Sequence, residues 1–324
     1  EKAGEVAFLL EPDLKNGRGG LRDVHAIEWA GLAGMPLLAG DDVAVAEAYE
    51  LLLAARVELH RRTGRTADSL VLEEQDAVAA ALGFDDADDF MRALSQAART
   101  IAWVSDDLWW RVRSSLEGPT RRRGRLDVDD AAGVTLVEGV VSLAPGADPA
   151  NDPFLVLRAA VVAARADARL SRDTLARLAD ATPLSQPWTE EARRLFVELF
   201  LAGRPAISVI ETLDQFGLWE PILPEWSVVR CRPQRNAYHR FTVDHHLLET
   251  AANAVGLADR VERPDLLVLG SLLHDIGKGR PGDHAEVGVE LVGVMVPRMG
   301  FDAADTAMVQ CMVAEHLLLP DIAT

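Results

Sequence analysis

The sequence predicts a mainly α-helical chain carrying one small β-hairpin. Three observations point there. Apolar residues recur at helical spacing through much of the length, as in the stripe Val43, Ala46, Leu51, Leu52, Ala55 and Leu59. Two short apolar runs, Val134–Val137 and Val140–Leu143, bracket the two-residue turn Glu138-Gly139, as in a hairpin. Prolines gather between the periodic segments, at Pro145, Pro149 and Pro153 and again at Pro221, Pro224 and Pro233. With 324 residues the chain exceeds one ordinary core, so two or three domains are expected.

In order, residues 5–13 read as a short buried strand (Val6 to Leu10) running into the Gly-rich turn Asn16–Gly20. A helix starts near Leu21, and the helical period persists to about Leu116, where Trp103, Val104, Leu108 and Trp109 mark a later helix. The basic run Arg121–Arg125 reads as a solvated linker. The hairpin follows, then helices over about 153–168, 172–180, 189–202 and 205–216. An irregular connector leads to a last, all-helical domain from near Asn236. The breaks fall at the basic run near residue 121 and at the connector before residue 236.

Composition excludes several classes. Hydrophobic residues at 49% and charged residues at 26% describe a folded chain. The net charge of −18 repels a phosphate backbone, so nucleic acid is not an expected partner. Cys231 and Cys311 are far apart and lack CxxC spacing, which excludes a disulfide scaffold and a thiolate zinc site and suits a reducing cytoplasm. No apolar run is long enough to cross a bilayer. The chain opens at Glu1 and stops at Thr324, and both ends read as cut from a longer protein.

The chemistry concentrates in Leu272-Leu273-His274-Asp275-Ile276-Gly277-Lys278-Gly279. Adjacent His and Asp at the end of an apolar helix (Asp265 to Ile276) suit a divalent metal better than a core. His246 flanks the apolar stripe of an earlier helix, His284 opens a helix after Gly282-Asp283, and His316 closes a fourth. Singly, each histidine also fits a cap, a helix end or packing; His239 and His245 are read as surface or packing residues. The full set resembles the HD phosphohydrolase superfamily, whose pattern is H…HD…D around a divalent metal. The resemblance implies His246, His274 and Asp275 as ligands of a divalent metal, Mg or Mn. It also implies Lys278, His284 and His316 as catalytic residues. His284 and His316 would bind a second metal or substrate phosphate, and Lys278 would stabilise charge on the phosphoryl group. The pattern's last Asp belongs beyond His316, where Asp321 is the sole carboxylate, so an incomplete metal site is expected in this chain.

The second informative segment is Leu10-Glu11-Pro12-Asp13-Leu14-Lys15-Asn16-Gly17-Arg18-Gly19-Gly20-Leu21-Arg22-Asp23. Strand, glycine turn and helix start could cradle a phosphate with backbone N–H groups, helped by Lys15, Arg18 and Arg22. A Gly-rich turn with solvated basic residues is the equal alternative. The segment, followed by a helix with Trp29, closely resembles the LEPN-K-G-GGLRD stretch of bacterial PII uridylyltransferase/uridylyl-removing enzymes. Further segments resemble that family in the same order: His60–Arg65 with Leu70 and Gln75, Gly217–Trp226, Tyr238–His246, and His274 to His284.

The resemblance implies the end of a polymerase-β-like nucleotidyltransferase domain over 1–25, a helical bundle domain over 26–120, a connecting region with the hairpin over 121–235, and an all-α HD domain over 236–324 that is C-terminally incomplete. It implies Glu11, Lys15 and Arg22 as nucleotide-binding residues. The implied partners are a PII signalling protein, UTP or ATP with UMP or AMP as the group transferred, and glutamine acting through domains outside this chain. The expected reaction is metal-dependent hydrolysis of a nucleotidyl-tyrosine phosphodiester, with the upstream transferase carboxylates missing. Two other readings stand beside it: a free-standing HD-type nucleotide phosphohydrolase, which leaves the Gly-rich segment unexplained, and a catalytically incomplete regulatory scaffold.

Overall fold

The computed structural model describes residues 4–117, 133–235 and 240–318. The basic run Arg121–Arg125, Tyr238, His239 and Asp321 lie outside the described residues. The chain forms two compact units, one made of Glu1–Arg121 with Arg230–His245, the other of Arg122–Val229 with His246–Thr324.

The first unit is helical. It contains α1 (Leu21–Leu32), α2 (Asp41–Thr63), α3 (Leu72–Ala81) and α4 (Ala87–Glu117), with α4 packed against the other three. The stripe of α2 differs from expectation. Val43 and Ala46 are exposed, and the buried row is Val45, Ala48, Leu52, Ala55 and Leu59. That row keeps an unbroken three-and-four spacing, whereas the expected one jumps five residues between Ala46 and Leu51. Gly64 ends α2 in the left-handed conformation at φ 63°, its N–H donating to His60 O.

Residues 5–13 do not form a strand. Val6, Ala7 and Phe8 are buried, but the segment turns and makes isolated bridges, Glu5 with Arg18, Leu9 with Phe241 and Asp13 with Ser69. A five-residue apolar run fits a strand or any other buried segment, and here no neighbouring strand exists among the described residues to complete a ladder. The segment Arg230–His245 joins this core. Asp244 is buried and accepts from the Arg99 guanidinium at 2.7 Å and from Cys231 N at 2.8 Å. His245 stacks on Phe8 with ring centroids 3.9 Å apart, which is the packing role of the two, surface or packing, expected of it.

The second unit begins with the hairpin β1 (Val134–Val137) and β2 (Val140–Leu143), closed by Glu138 at φ 51° and Gly139 at φ 77°. Two positive φ values match the right-handed twist of the strands. After α5 (Leu155–Arg165), a two-residue strand β3 (Arg169–Leu170) adds parallel to β2, too short to announce itself in sequence. Then follow α6 (Arg172–Leu178), α7 (Glu190–Leu201), α8 (Arg204–Gln215) and α9 (Trp226–Val229). Trp188, Phe196, Phe200, Trp219 and Trp226 form an aromatic cluster in this unit's core. The remaining elements are α10 (Val243–Ala254), whose residues from His246 onward belong to this unit, a 3-10 turn at Val255–Arg260, α11 (Pro264–Leu273), α12 (His284–Arg298) and α13 (Ala303–Ala314). Helix α12 packs on α13, and α11 on α13 and α7.

Candidate metal centre

Helix α11 is apolar on nearly every side, with Leu266, Val268, Leu269, Leu272 and Leu273 buried, so its end is held firmly in the core. It stops at Leu273, three residues earlier than the Asp265–Ile276 expectation. His274 is the cap, and the chain then turns through Gly279 at φ 84°. Gly277 lets this turn lie against α12: a Cβ there would sit 2.6 Å from Gly288 N. Gly288 in turn leaves no room for a side chain beside Val313 of α13. Small residues thus draw the turn, α12 and α13 together.

On α10, Leu247, Leu248 and Ala251 are buried and His246 flanks them. Asp283 caps α12, accepting from Ala285 N at 2.9 Å and Glu286 N at 3.1 Å, which sets His284 at the helix start. His316 lies just past the end of α13.

These side chains converge on Asp275, which is 2% exposed. Its Oδ2 lies 3.3 Å from His274 Nε2, 3.6 Å from His246 Nε2 and 2.6 Å from Lys278 Nζ. Its Oδ1 lies 3.4 Å from His316 Nε2 and 3.6 Å from His284 Nε2. The turn, not a shared helix face, brings Lys278 here, because Lys278 N donates to Asp275 O at 3.0 Å. Two groups of potential ligands result, His246–His274–Asp275 and Asp275–His284–His316, with Asp275 in both.

The donor set fits a cation. His274 Nδ1 faces Ser271 O at 2.8 Å and His316 Nδ1 faces Val313 O at 2.7 Å. A carbonyl only accepts, so both Nδ1 atoms carry a proton, and in neutral imidazole each Nε2 presents a lone pair toward the carboxylate. His246 Nε2 and His274 Nε2 meet at 3.1 Å. Lone pairs facing lone pairs and a carboxylate repel unless a proton or a metal ion lies between them. Among the described residues, Asp275 Oδ1 and His316 Nε2 are buried without a hydrogen-bond partner. Burial pushes the Asp275 carboxyl up, yet His274, His316 and Lys278 hold it far below the usual carboxylate range, so it is ionised. The facing Asp275 carboxylate pushes the His316 imidazolium up.

The backbone acceptors Ser271 and Val313 escaped sequence reading, since a carbonyl leaves no residue-type signal. Each nevertheless lies three residues before the histidine it orients.

The Gly-rich segment is built differently. Every amide from Lys15 to Arg22 is engaged inside the protein. Lys15 and Asn16 donate to Asp13 Oδ1, Gly17 to Asp13 O, Arg18 to Gly4 O, Gly19 to Asp23 Oδ2, Gly20 to Gly17 O, Leu21 to Leu14 O and Arg22 to Lys15 O. No donor in this stretch remains for a backbone phosphate cradle. Gly19, at φ 80°, instead permits contact with the α4 backbone at Ala98. Glu11 accepts from Leu72 N at 2.9 Å, holding the start of α3. Lys15 Nζ is 3.8 Å from Asp68 Oδ2, and Arg22 is exposed.

Comparison with known proteins agrees with both motifs. Residues 1–109 match the family model of GlnD PII-uridylyltransferase, and residues 243–323 match the HD domain, a class of typically metal-dependent hydrolases. The bifunctional uridylyltransferase/uridylyl-removing enzyme of Streptomyces coelicolor is 46% identical over 100% of this chain and 40% of its own length. The enzyme of the same description from Mycobacterium tuberculosis is 42% identical over 100% of the chain and 41% of its own length. That from Corynebacterium glutamicum is 37% identical, covering 99% and 46%. The chain therefore spans less than half the length of these curated relatives.

Proposed function

We propose, from the pairing of a PII-uridylyltransferase region with an HD domain in one chain, that this protein serves the covalent regulation of a PII signalling protein. Its HD site hydrolyses the phosphodiester joining a nucleotide to a PII tyrosine. Water adds across the bond: the P–O bond to tyrosine breaks, phosphorus gains the water's hydroxyl, and the tyrosine oxygen gains its proton. The product is UMP or AMP, the forward reaction draws on UTP or ATP, and glutamine signals through other parts of the full-length enzyme. The proposed substrates, a nucleotide and a signalling protein, assign the reaction to the cytoplasm. No helix of the described residues is long and apolar enough to cross a membrane.

His246, His274 and Asp275 hold the divalent cation, which when bound supplies Lewis acidity at phosphorus and a more acidic water. Of Mg and Mn, the imidazole-rich set favours Mn, because Mg prefers oxygen ligands. Lys278 places positive charge where the phosphoryl oxygens gain negative charge. His284 and His316, on the Oδ1 side of Asp275, take a phosphate oxygen or a second cation. Near the Gly-rich loop, Lys15 and Arg22 meet a nucleotide through their side chains and Glu11 fixes the loop's far end, in place of a backbone cradle.

The observation that carries this reading is the convergence of four imidazoles and Lys278 on one buried carboxylate. Asp275→Ala is expected to abolish stoichiometric Mn²⁺ binding and nucleotidyl removal from modified PII. Retained removal with unchanged metal content would refute it.

A further inference from the structure

The turn that carries Asp275 and Lys278 lies outside any helix, so something else must hold it. One side chain reaches back to it. Arg280 donates from Nη1 to Ile276 O at 2.9 Å, the carbonyl next to Asp275. Its Nη2 donates to Glu225 O at 3.4 Å. Glu225 is itself locked: its carboxylate accepts both Arg298 Nη1 at 2.6 Å and Nη2 at 2.7 Å. The Arg298 carbonyl, at the end of α12, accepts from Trp188 N at 2.8 Å. The charged side chains of Glu225 and Arg298 are 15% and 16% exposed, so the pair is largely desolvated and geometrically firm. A chain of hydrogen bonds therefore runs from the aromatic core through Arg298 and Glu225 to Arg280, and ends on the turn.

We infer that Arg280 is a positioning residue for the metal centre, a strut that fixes the Ile276 peptide and through it the aim of the Asp275 carboxylate. Three features agree. Arg280 reaches the centre through the Ile276 carbonyl, in the backbone between Asp275 and Lys278, and not through a candidate ligand's side chain. Its guanidinium spans two carbonyls at once, which a fork of N–H donors can do and a lysine ammonium does less well. The carboxylate it steadies belongs to both ligand groups, so a small displacement there disturbs both. This inference rests on the metal-centre reading above.

The test is Mn²⁺ binding by titration calorimetry on the 324-residue chain, with removal of UMP from modified PII assayed across Mn²⁺ concentrations. Arg280→Ala is expected to weaken Mn²⁺ binding about 10–100-fold, the range for partners that orient metal ligands. The Mn²⁺ concentration for half-activation should rise in step, while KM for modified PII stays unchanged. Arg280→Lys should recover part of the Mn²⁺ affinity, since one carbonyl contact survives. A general loss of structure would instead lower the melting temperature without selectively shifting metal activation. If Arg280→Ala does not fold, Arg280→Lys and Glu225→Gln decide, as each keeps the bulk of its side chain. Mn²⁺ affinity equal to that of the parent in the folded variants overturns the inference. Asp275→Ala runs in parallel: if it still binds Mn²⁺, the metal-centre reading itself has failed, whereas loss there with parent-like Arg280 variants rejects the strut alone.

Discussion

At the scale of single residues, Asp275 and Lys278 illustrate how one carboxylate serves opposing demands. Four histidines and a lysine surround Asp275, and the ammonium at 2.6 Å competes with any cation for Oδ2. If Lys278 serves the phosphoryl group, its removal should slow chemistry without costing metal. Lys278→Ala is expected to lower kcat for nucleotidyl removal about 100-fold, the usual size of a lost electrostatic contact in a transition state. Mn²⁺ affinity should stay the same or rise slightly. A drop in metal affinity matching the drop in kcat would make Lys278 part of the ion's support instead. The residues that converge here were singled out in sequence as a set, because one His-Asp pair and three further histidines on successive helices are a poor choice for packing, although each alone has ordinary structural uses. What could not be read was their common focus. Nothing in the spacing of His246, His284 and His316 says that all aim at one carboxylate, or that Asp275 faces two groups of ligands. Arg280 was equally hidden, since its partners are a backbone carbonyl and the carbonyl of distant Glu225.

At the scale of elements, α5 to α8 fall close to their expected positions: α6, α7 and α8 bury one side each, whereas α5 is apolar and buried almost all round, its start marked by Pro153. Residues 5–13 and β3 show the opposite case, short segments whose state is set by what lies beside them. The Glu225–Arg298 pair belongs to this scale, since it joins the segment before α9 to the end of α12. Burial pushes the Glu225 carboxyl up, but the bidentate Arg298 more than offsets this and holds it below its ordinary value. A lowered folded-state value means that the unfolded chain binds a proton first on acidification. The pair's contribution is therefore complete above the unfolded carboxyl pKa, about 4.3, and disappears as pH falls through the lower folded value. Glu225→Gln should cost about 1.5–3 kcal/mol at pH 7, typical of a lost charge-assisted hydrogen bond. In urea melts from pH 7 downward, the difference between parent and variant should hold steady to about pH 5 and shrink below the carboxyl pKa. A gap that is constant down to pH 3 would assign the stability to packing rather than charge.

At the scale of the whole molecule, the first unit is assembled from two stretches far apart in sequence, Glu1–Arg121 and Arg230–His245. Composition and periodicity gave no warning of this, because they describe neighbours along the chain. What ties the stretches together is a buried polar knot. Asp244 is 1% exposed and accepts from Arg99, from Cys231 N and, at 2.9 Å, from its neighbour's His245 N. Arg99, a residue of α4, also lies over the Phe8 ring at 4.9 Å. Cys231 adopts φ 55°, an uncommon value for a residue with a side chain, and its N–H is thereby aimed at the carboxylate. The knot thus holds the returning segment by one charge, and its loss should undo more than one contact. Removing Asp244 leaves the Arg99 guanidinium buried beside an empty space, the circumstance in which a broken buried ion pair costs about 3–5 kcal/mol. Asp244→Ala is accordingly expected to lower the unfolding free energy of the chain by that amount. Hydrogen exchange should rise at Arg230–His245 and along the Arg99 turn of α4, the two strands of chain the carboxylate joins. A variant that keeps parent-like stability and exchange at both places would show that the apolar contacts of Phe8, Phe241 and His245 close this unit unaided, and that the knot adds specificity of register rather than strength.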